Sequence, residues 1–313
     1  MLTMDDLIQA RERLRTHLTP TPLENAPTLG EQVWLKLENA NLTHSFKIRG
    51  ALNAVLALDD SARLRGLVTA SSGNHAQGLA YAAHLTGAKA TILMPEHTPQ
   101  RKVDGVRKYG AEARLFGANY DETEAEARRL ERENGMTFVS PYNDPMVVAG
   151  AASIGLEIID AQAAVERVVV CVGGGGLISG IGMAIKTLNP MVEVIGVNAE
   201  SASAMYNIIY DTNYAEVWDT LAEALSGDVE PDSITREMVR QYVDGIVRVS
   251  EAQIAAAMRW MVNVQGWLVE GGGAVGVAAL LAGIIPEDGK RTVVVVSGAN
   301  VDPQTLRQVL CEA

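Results

Sequence analysis

The sequence predicts an α/β protein of two lobes, each built on a parallel sheet, and three observations lead there. The chain has 313 residues, 48% of them apolar and 20% charged, which suffices for two cores around a cleft. From about residue 64 onward, short β-branched or apolar runs alternate with longer helical patterns, the pattern of βα units feeding a parallel sheet. The alternation falls into two blocks.

The N-terminal MLTMDDLIQARERLR has amphipathic spacing, and VWLKLEN (33–39) is an apolar segment ahead of the first block. In that block GLVTA (66–70), KATILM (89–94), EARLF (112–116) and TFV (137–139) read as strands, with helices after the first three. The second block opens with RVVVCV (167–172), followed by the amphipathic helix LISGIGMAIKTL, and continues through EVIGVN (193–198). It closes with RTVVVVS (291–297), after the helix AVGVAALLAG. Between about 199 and 235, Pro, Asp, Ser and Gly interrupt any clear period, so no element is assigned there. No low-complexity tract or solenoid-type repeat is present.

Composition excludes several partners. A net charge of -12 repels a nucleic-acid backbone or an anionic membrane surface, which leaves a small molecule. Cys171, inside an apolar run, and Cys311 supply neither a disulfide framework nor metal-ligand spacing, as expected in a reducing cytoplasm. The N-terminus lacks the apolar core of a signal peptide, and no stretch approaches the roughly 20 apolar residues a bilayer requires.

The strongest chemical signal is Val172-Gly173-Gly174-Gly175-Gly176-Leu177-Ile178-Ser179-Gly180, between a hydrophobic strand and a helix. Four glycines expose main-chain N–H groups, and the helix N-terminus adds its positive dipole end, so a phosphate is expected here. The alternative is a flexible turn. No dinucleotide, nucleoside-triphosphate or acyl-transfer fingerprint fits, so the phosphate would belong to another cofactor. In Ser45-Phe46-Lys47-Ile48-Arg49-Gly50-Ala51, apolar flanks can desolvate Lys47 toward a nucleophilic neutral amine, although a lysine so placed can equally snorkel to solvent. Ser71-Ser72-Gly73-Asn74-His75, between a strand and a helix, can hold a substrate carboxylate or simply cap the helix. Ser297, at the end of the last strong strand, can bond a ring nitrogen or serve as a turn residue.

Taken together and in order, TPTPLE, WLKLEN, SFKIRGA, SSGNHAQGLA, GGGGLISG, VEGGGAVGVAAL and SGANVD resemble the fold-type II pyridoxal-phosphate (PLP) family that includes threonine dehydratase, serine dehydratase and serine racemase. The resemblance covers most of the chain. It implies the open, twisted parallel-sheet fold of the tryptophan synthase β-like class, with a large PLP-binding domain from 1–47 and 146–313 and a small domain from 48–145. It also implies that Lys47 forms a Schiff base with PLP and later removes the α-proton, with Phe46 near the ring. Asn74 would bond the ring hydroxyl, Gly173, Gly174, Gly175, Gly176 and Leu177 would wrap the phosphate, and Ser297 would face the ring nitrogen. Ser71, Ser72, Gly73 and His75 would lie along the substrate carboxylate, with Ser72 catalytic on the face opposite Lys47. Relatives of this kind are commonly homodimers.

The implied reaction is loss of water from L-threonine or L-serine, giving a 2-oxo acid and ammonia. Departures from the family pattern surround the substrate: His44 stands where glycine usually precedes the lysine motif, Ala76 follows SSGNH, Ala149-Gly150-Ala151-Ala152-Ser153 replaces AGQGT, and Gly271-Gly272-Gly273 follows Glu270. They leave open another hydroxy amino acid, such as hydroxyaspartate or a diamino acid from hydroxyectoine breakdown, and serine-racemase-like racemisation. A non-catalytic binding protein with the same fold is a further alternative, opposed by the retained lysine. Some relatives bind a divalent cation at the end of a strand, but Asn198, Ala202 and Ala204 occupy the matching places, with Glu200 nearby. No metal is therefore expected.

Overall fold

The computed structural model describes residues 2–311. Its helices and strands begin with α1 (Met4–Leu14), β1 (Leu23–Asn25), β2 (Val33–Leu37), α2 (Lys47–Ala57) and α3 (Asp60–Arg65). Next come β3 (Leu67–Ala70), α4 (Asn74–Thr86), β4 (Ala90–Met94), α5 (Gln100–Arg107), β5 (Glu112–Leu115), α6 (Tyr120–Asn134), β6 (Thr137–Phe138) and α7 (Pro145–Ala161). The chain continues with β7 (Arg167–Cys171), α8 (Gly176–Leu188), β8 (Glu193–Ala199), α9 (Ala204–Tyr210), α10 (Ile234–Tyr242) and β9 (Gly245–Val249). It ends with α11 (Glu251–Trp260), α12 (Gly271–Leu281), β10 (Thr292–Val296) and α13 (Pro303–Cys311). No helix among the described residues is long and apolar enough to cross a membrane.

The chain divides into two compact units. One comprises residues up to Leu18 together with Phe46–Ala151; the other comprises Thr19–Ser45 and the chain from Ala152 onward. The first contains an all-parallel sheet of order β5-β4-β3-β6. The second contains a sheet of order β1-β2-β10-β7-β8-β9, parallel except where β1 runs antiparallel along β2. Every expected strand is present within a residue or two of its expected limits.

The domain limits differ from those expected. Residues up to Leu18 belong with the smaller unit, because Leu14 and Leu18 are buried in one cluster with Ile48, Leu52 and Val55 of α2. The second limit falls inside α7, several residues beyond position 146. The terminal positions of the expected large domain, Met1, Glu312 and Ala313, lie outside the described residues.

Burial explains which strands announce themselves. Both β7 and β10 are buried at every position, so RVVVC and TVVVV are nearly continuous β-branched runs, as a sheet covered on both faces requires. At the sheet edge β9 buries only Ile246 and Val249 of its five residues and carries Arg248, which weakens its pattern. Short β1 lies at the opposite edge with no buried residue.

Candidate functional site

In the smaller unit, Lys47 is the first residue of α2, and its half-buried amine does not run out to water. Nζ donates to the Pro141 carbonyl at 2.8 Å and lies 5.2 Å from the centre of the Phe46 ring. The helix behind it is held closely. A Cβ on Gly150 of α7 would lie 2.5 Å from the Arg49 carbonyl oxygen, so the Ala149-Gly150 departure keeps glycine where two helix backbones meet.

Ser71, Ser72 and Gly73 form the partly exposed turn between β3 and α4, with Asn74 and His75 buried in the first helical turn. The helix is not capped by a side chain: its cap residue is Gly73, and the Ser71 hydroxyl accepts from the Gly73 N–H instead. Gly73 itself offers no side chain to the first N–H groups of α4.

The His75 side chain turns into the interior. Only 2% exposed, it points to the Val139 carbonyl at 2.9 Å, which also accepts from Thr69. A carbonyl can only accept, so Nε2 carries the proton and Nδ1 is a bare lone pair, buried without a partner. Burial, followed by the positive charge of Lys47, pushes the imidazole pKa down to about 3 against a smaller opposing effect of the Val139 bond. Any contribution to a carboxylate site thus comes from the His75 main chain, with the imidazole neutral. Because Lys47 and His75 bond carbonyls two residues apart, the segment from Val139 to Pro141 positions both bases. Nothing local in that segment signals the role.

In the larger unit, β7 delivers the chain into the tetraglycine turn. Gly175, at φ 85°, is the N-cap of α8, again without a side-chain cap. That backbone region disfavours other residues, and a Cβ there would also meet the Met205 methyl at 2.8 Å. At Gly173 a Cβ would meet the main chain of Leu225 at 3.1 Å, and the Gly174 carbonyl accepts from the Thr235 hydroxyl at 2.7 Å. Gly176 and Leu177 open α8. The turn is therefore a closely packed cradle, with neighbours against Gly173, Gly174 and Gly175. Leu225 and Thr235 come from the stretch in which the sequence showed no clear period.

Ser297, 3% exposed, directly follows β10. The next residue, Gly298, forms a bridge with Ser45, while Ala299 N–H donates to the His44 carbonyl and Asn300 Nδ2 donates to that of Thr43. The SGAN segment thus fixes the residues that immediately precede Phe46 and Lys47 in the chain. His44 holds a left-handed backbone at φ 56°, the reason glycine suits that position. Beside the same segment, Glu270 N–H donates to the Gly298 carbonyl. A Cβ on Gly271 would lie 2.0 Å from the Leu221 carbonyl oxygen, so glycine at that position is a packing requirement of this chain. Asn198 Nδ2 donates to the Val172 and Ala202 carbonyls.

These groups suit PLP. The cradle supplies N–H donors for a dianionic phosphate, Lys47 supplies a primary amine for an aldehyde, and Ser297 supplies a neutral hydroxyl for a ring nitrogen. Each set is complete within its own unit.

Comparison with known proteins agrees. The family described as "Pyridoxal-phosphate dependent enzyme" matches residues 14–298. An L-threonine ammonia-lyase from Thermotoga maritima is 41% identical, over 99% of this chain and 78% of that protein. A catabolic L-threonine dehydratase from Staphylococcus aureus is also 41% identical, over 96% of this chain and 90% of its own. Among solved structures, maize serine racemase superposes with a TM-score of 0.90 at 30% identity, covering 97% of this chain and 95% of its own. The processed threonine deaminase isoform 2 of Solanum lycopersicum gives 0.88 at 30% identity, covering 100% and 95%.

Proposed function

Because this chain belongs to the PLP-dependent enzyme family, we propose that it is an ammonia-forming lyase that removes water from L-threonine or L-serine. The observation that carries the proposal is the 41% identity to an L-threonine ammonia-lyase over nearly the whole chain. When bound, the cofactor would draw electrons from the substrate α-carbon and acidify its proton.

The chain's own residues divide the remaining work. Lys47 holds the cofactor through Nζ and, once released, takes the α-proton at that nitrogen. N–H groups at the start of α4, with the Ser71-Ser72-Gly73 turn, would hold the substrate carboxylate, and the Ser72 hydroxyl would serve the face opposite the amine. Phe46 would pack near the ring, and Asn74 would bond its hydroxyl. Gly173, Gly174, Gly175, Gly176 and Leu177 bind the phosphate through main-chain N–H groups. Ser297 would bond the ring nitrogen as a neutral partner. Lacking a carboxylate's charge, it would not keep that nitrogen protonated, which suits prompt loss of the β-hydroxyl.

The test is a panel of hydroxy amino acids given to the PLP-loaded protein. L-Threonine and L-serine are expected to yield 2-oxo acid and ammonia, and Lys47→Ala to yield neither. Preferential turnover of hydroxyaspartate or a hydroxyectoine-derived diamino acid would move the assignment to that substrate. Likeness to maize serine racemase favours one second reading, racemisation with Ser72 as the opposite-face acid. D-Amino acid without ammonia would establish it. The same reading has the enzyme working as a cytoplasmic homodimer. Cys171 and Cys311 are both unbridged thiols, as a reducing compartment permits, and sedimentation would test the dimer.

A further inference from the structure

The tetraglycine turn is anchored at four consecutive residues, and the first anchor is a side chain with no role assigned so far. The ladder between β7 and β8 ends with the pair Cys171 and Val197. One residue further, the Asn198 side chain takes over: its Nδ2 donates to the Val172 carbonyl at 2.7 Å and to the Ala202 carbonyl at 2.9 Å. The amide orientation follows from chemistry, since the opposite flip would face Oδ1 toward two carbonyl oxygens. In the observed orientation Oδ1 is buried without a partner, and the whole residue is 1% exposed.

An apolar residue would avoid that stranded oxygen, so the two N–H bonds are what an asparagine contributes here. Through Val172 the amide fixes where the turn begins. Through Ala202 it fixes the approach to α9, whose Met205 methyl backs Gly175. Gly173 rests on Leu225 and Gly174 on Thr235, while Asn198 touches both the entry to the turn and the segment leading to its backing helix.

We propose that Asn198 is a positioning residue of the phosphate-binding turn, its amide nitrogen bridging two carbonyl oxygens as a bound cation otherwise would. The inference rests on the reading that this turn takes the PLP phosphate. Aspartate at 198 loses both N–H donors and brings a carboxylate up to two carbonyl oxygens. That all-oxygen set is the ligand chemistry of a hard divalent cation.

The experiment uses the full chain stripped of cofactor and titrated with PLP and with pyridoxal, which lacks the phosphate. Wild type is expected to prefer PLP at least a hundredfold. Asn198→Ala is expected to lose tenfold or more of that preference, with pyridoxal capture by Lys47 unchanged. Asn198→Asp should show the same loss in chelator and regain the preference in millimolar magnesium. Should Asn198→Ala fail to fold, the Asn198→Asp pair carries the test. Retention of the full PLP preference in either variant without magnesium, an equal loss for both ligands, or no magnesium rescue overturns the proposal. If wild type itself shows no preference for PLP, the phosphate assignment fails and the inference goes with it, a result distinct from all the others.

Discussion

His75 shows how one buried residue sets a pH limit. Its pKa is about 3 in the folded chain against 6.5 for an ordinary histidine, so between these values the unfolded chain binds a proton that the folded chain does not. The stability it contributes is complete above about pH 6.5 and is lost as pH falls toward 3. Urea unfolding at pH 7.5 and pH 5 is expected to show this loss in wild type and a smaller one in His75→Gln; equal losses would refute it. At His44 the left-handed backbone strains a β-carbon, so His44→Gly should raise stability by about 0.5–1 kcal/mol, read as a higher melting temperature. Replacing Lys47 by Ala should abolish measurable turnover, since it removes both the amine that holds the cofactor and a proton-transfer group that alone contributes about a hundredfold to ten-thousandfold. Lys47 and its flanking motif were legible in the sequence, but the Pro141 carbonyl that receives its amine was not, because the two lie 94 positions apart.

Among the elements, the placement of α2 depends on what α7 allows. Gly150→Ala sets a methyl group 2.5 Å from the Arg49 carbonyl oxygen, inside any real contact, and should destabilise the protein by about 1–3 kcal/mol. Chemical denaturation measures the loss, and an unchanged midpoint would contradict the tight crossing. The larger sheet has an electrostatic tie at its opposite end. Arg167, at the start of β7, donates to Glu193 of β8 at 2.9 Å and to Asp288 at 3.0 and 2.6 Å, while Lys290 donates to Glu193 at 2.6 Å. The Arg167 hydrogen bond, the largest influence, holds the Asp288 carboxyl down at about 2. Strands buried on both faces were visible as β-branched runs, whereas β9 and β1 were not, since an edge strand with few buried positions has no such run.

For the whole molecule, the proposed cofactor couples to folding. A ligand that binds only the folded chain adds about 2.7 kcal/mol at a hundred times its Kd, so PLP addition should raise the melting temperature of the stripped protein and its removal should lower it. A melting temperature indifferent to PLP would contradict a built phosphate site. With a net charge of -12, the chain should also gain stability as salt rises from low to physiological levels, through screening of its self-repulsion.

By itself the sequence determined the α/β class, the positions of most strands along the chain, the tetraglycine turn and the lysine motif. Each of these is written in consecutive residues whose period or chemistry is local. Tertiary structure alone decided that α1 joins the smaller unit, that Val139 and Pro141 hold His75 and Lys47, and that Asn198, Leu225, Met205 and Thr235 shape the glycine turn. Those outcomes depend on partners tens of residues away, brought together only when two cores close and their buried polar groups must find one another.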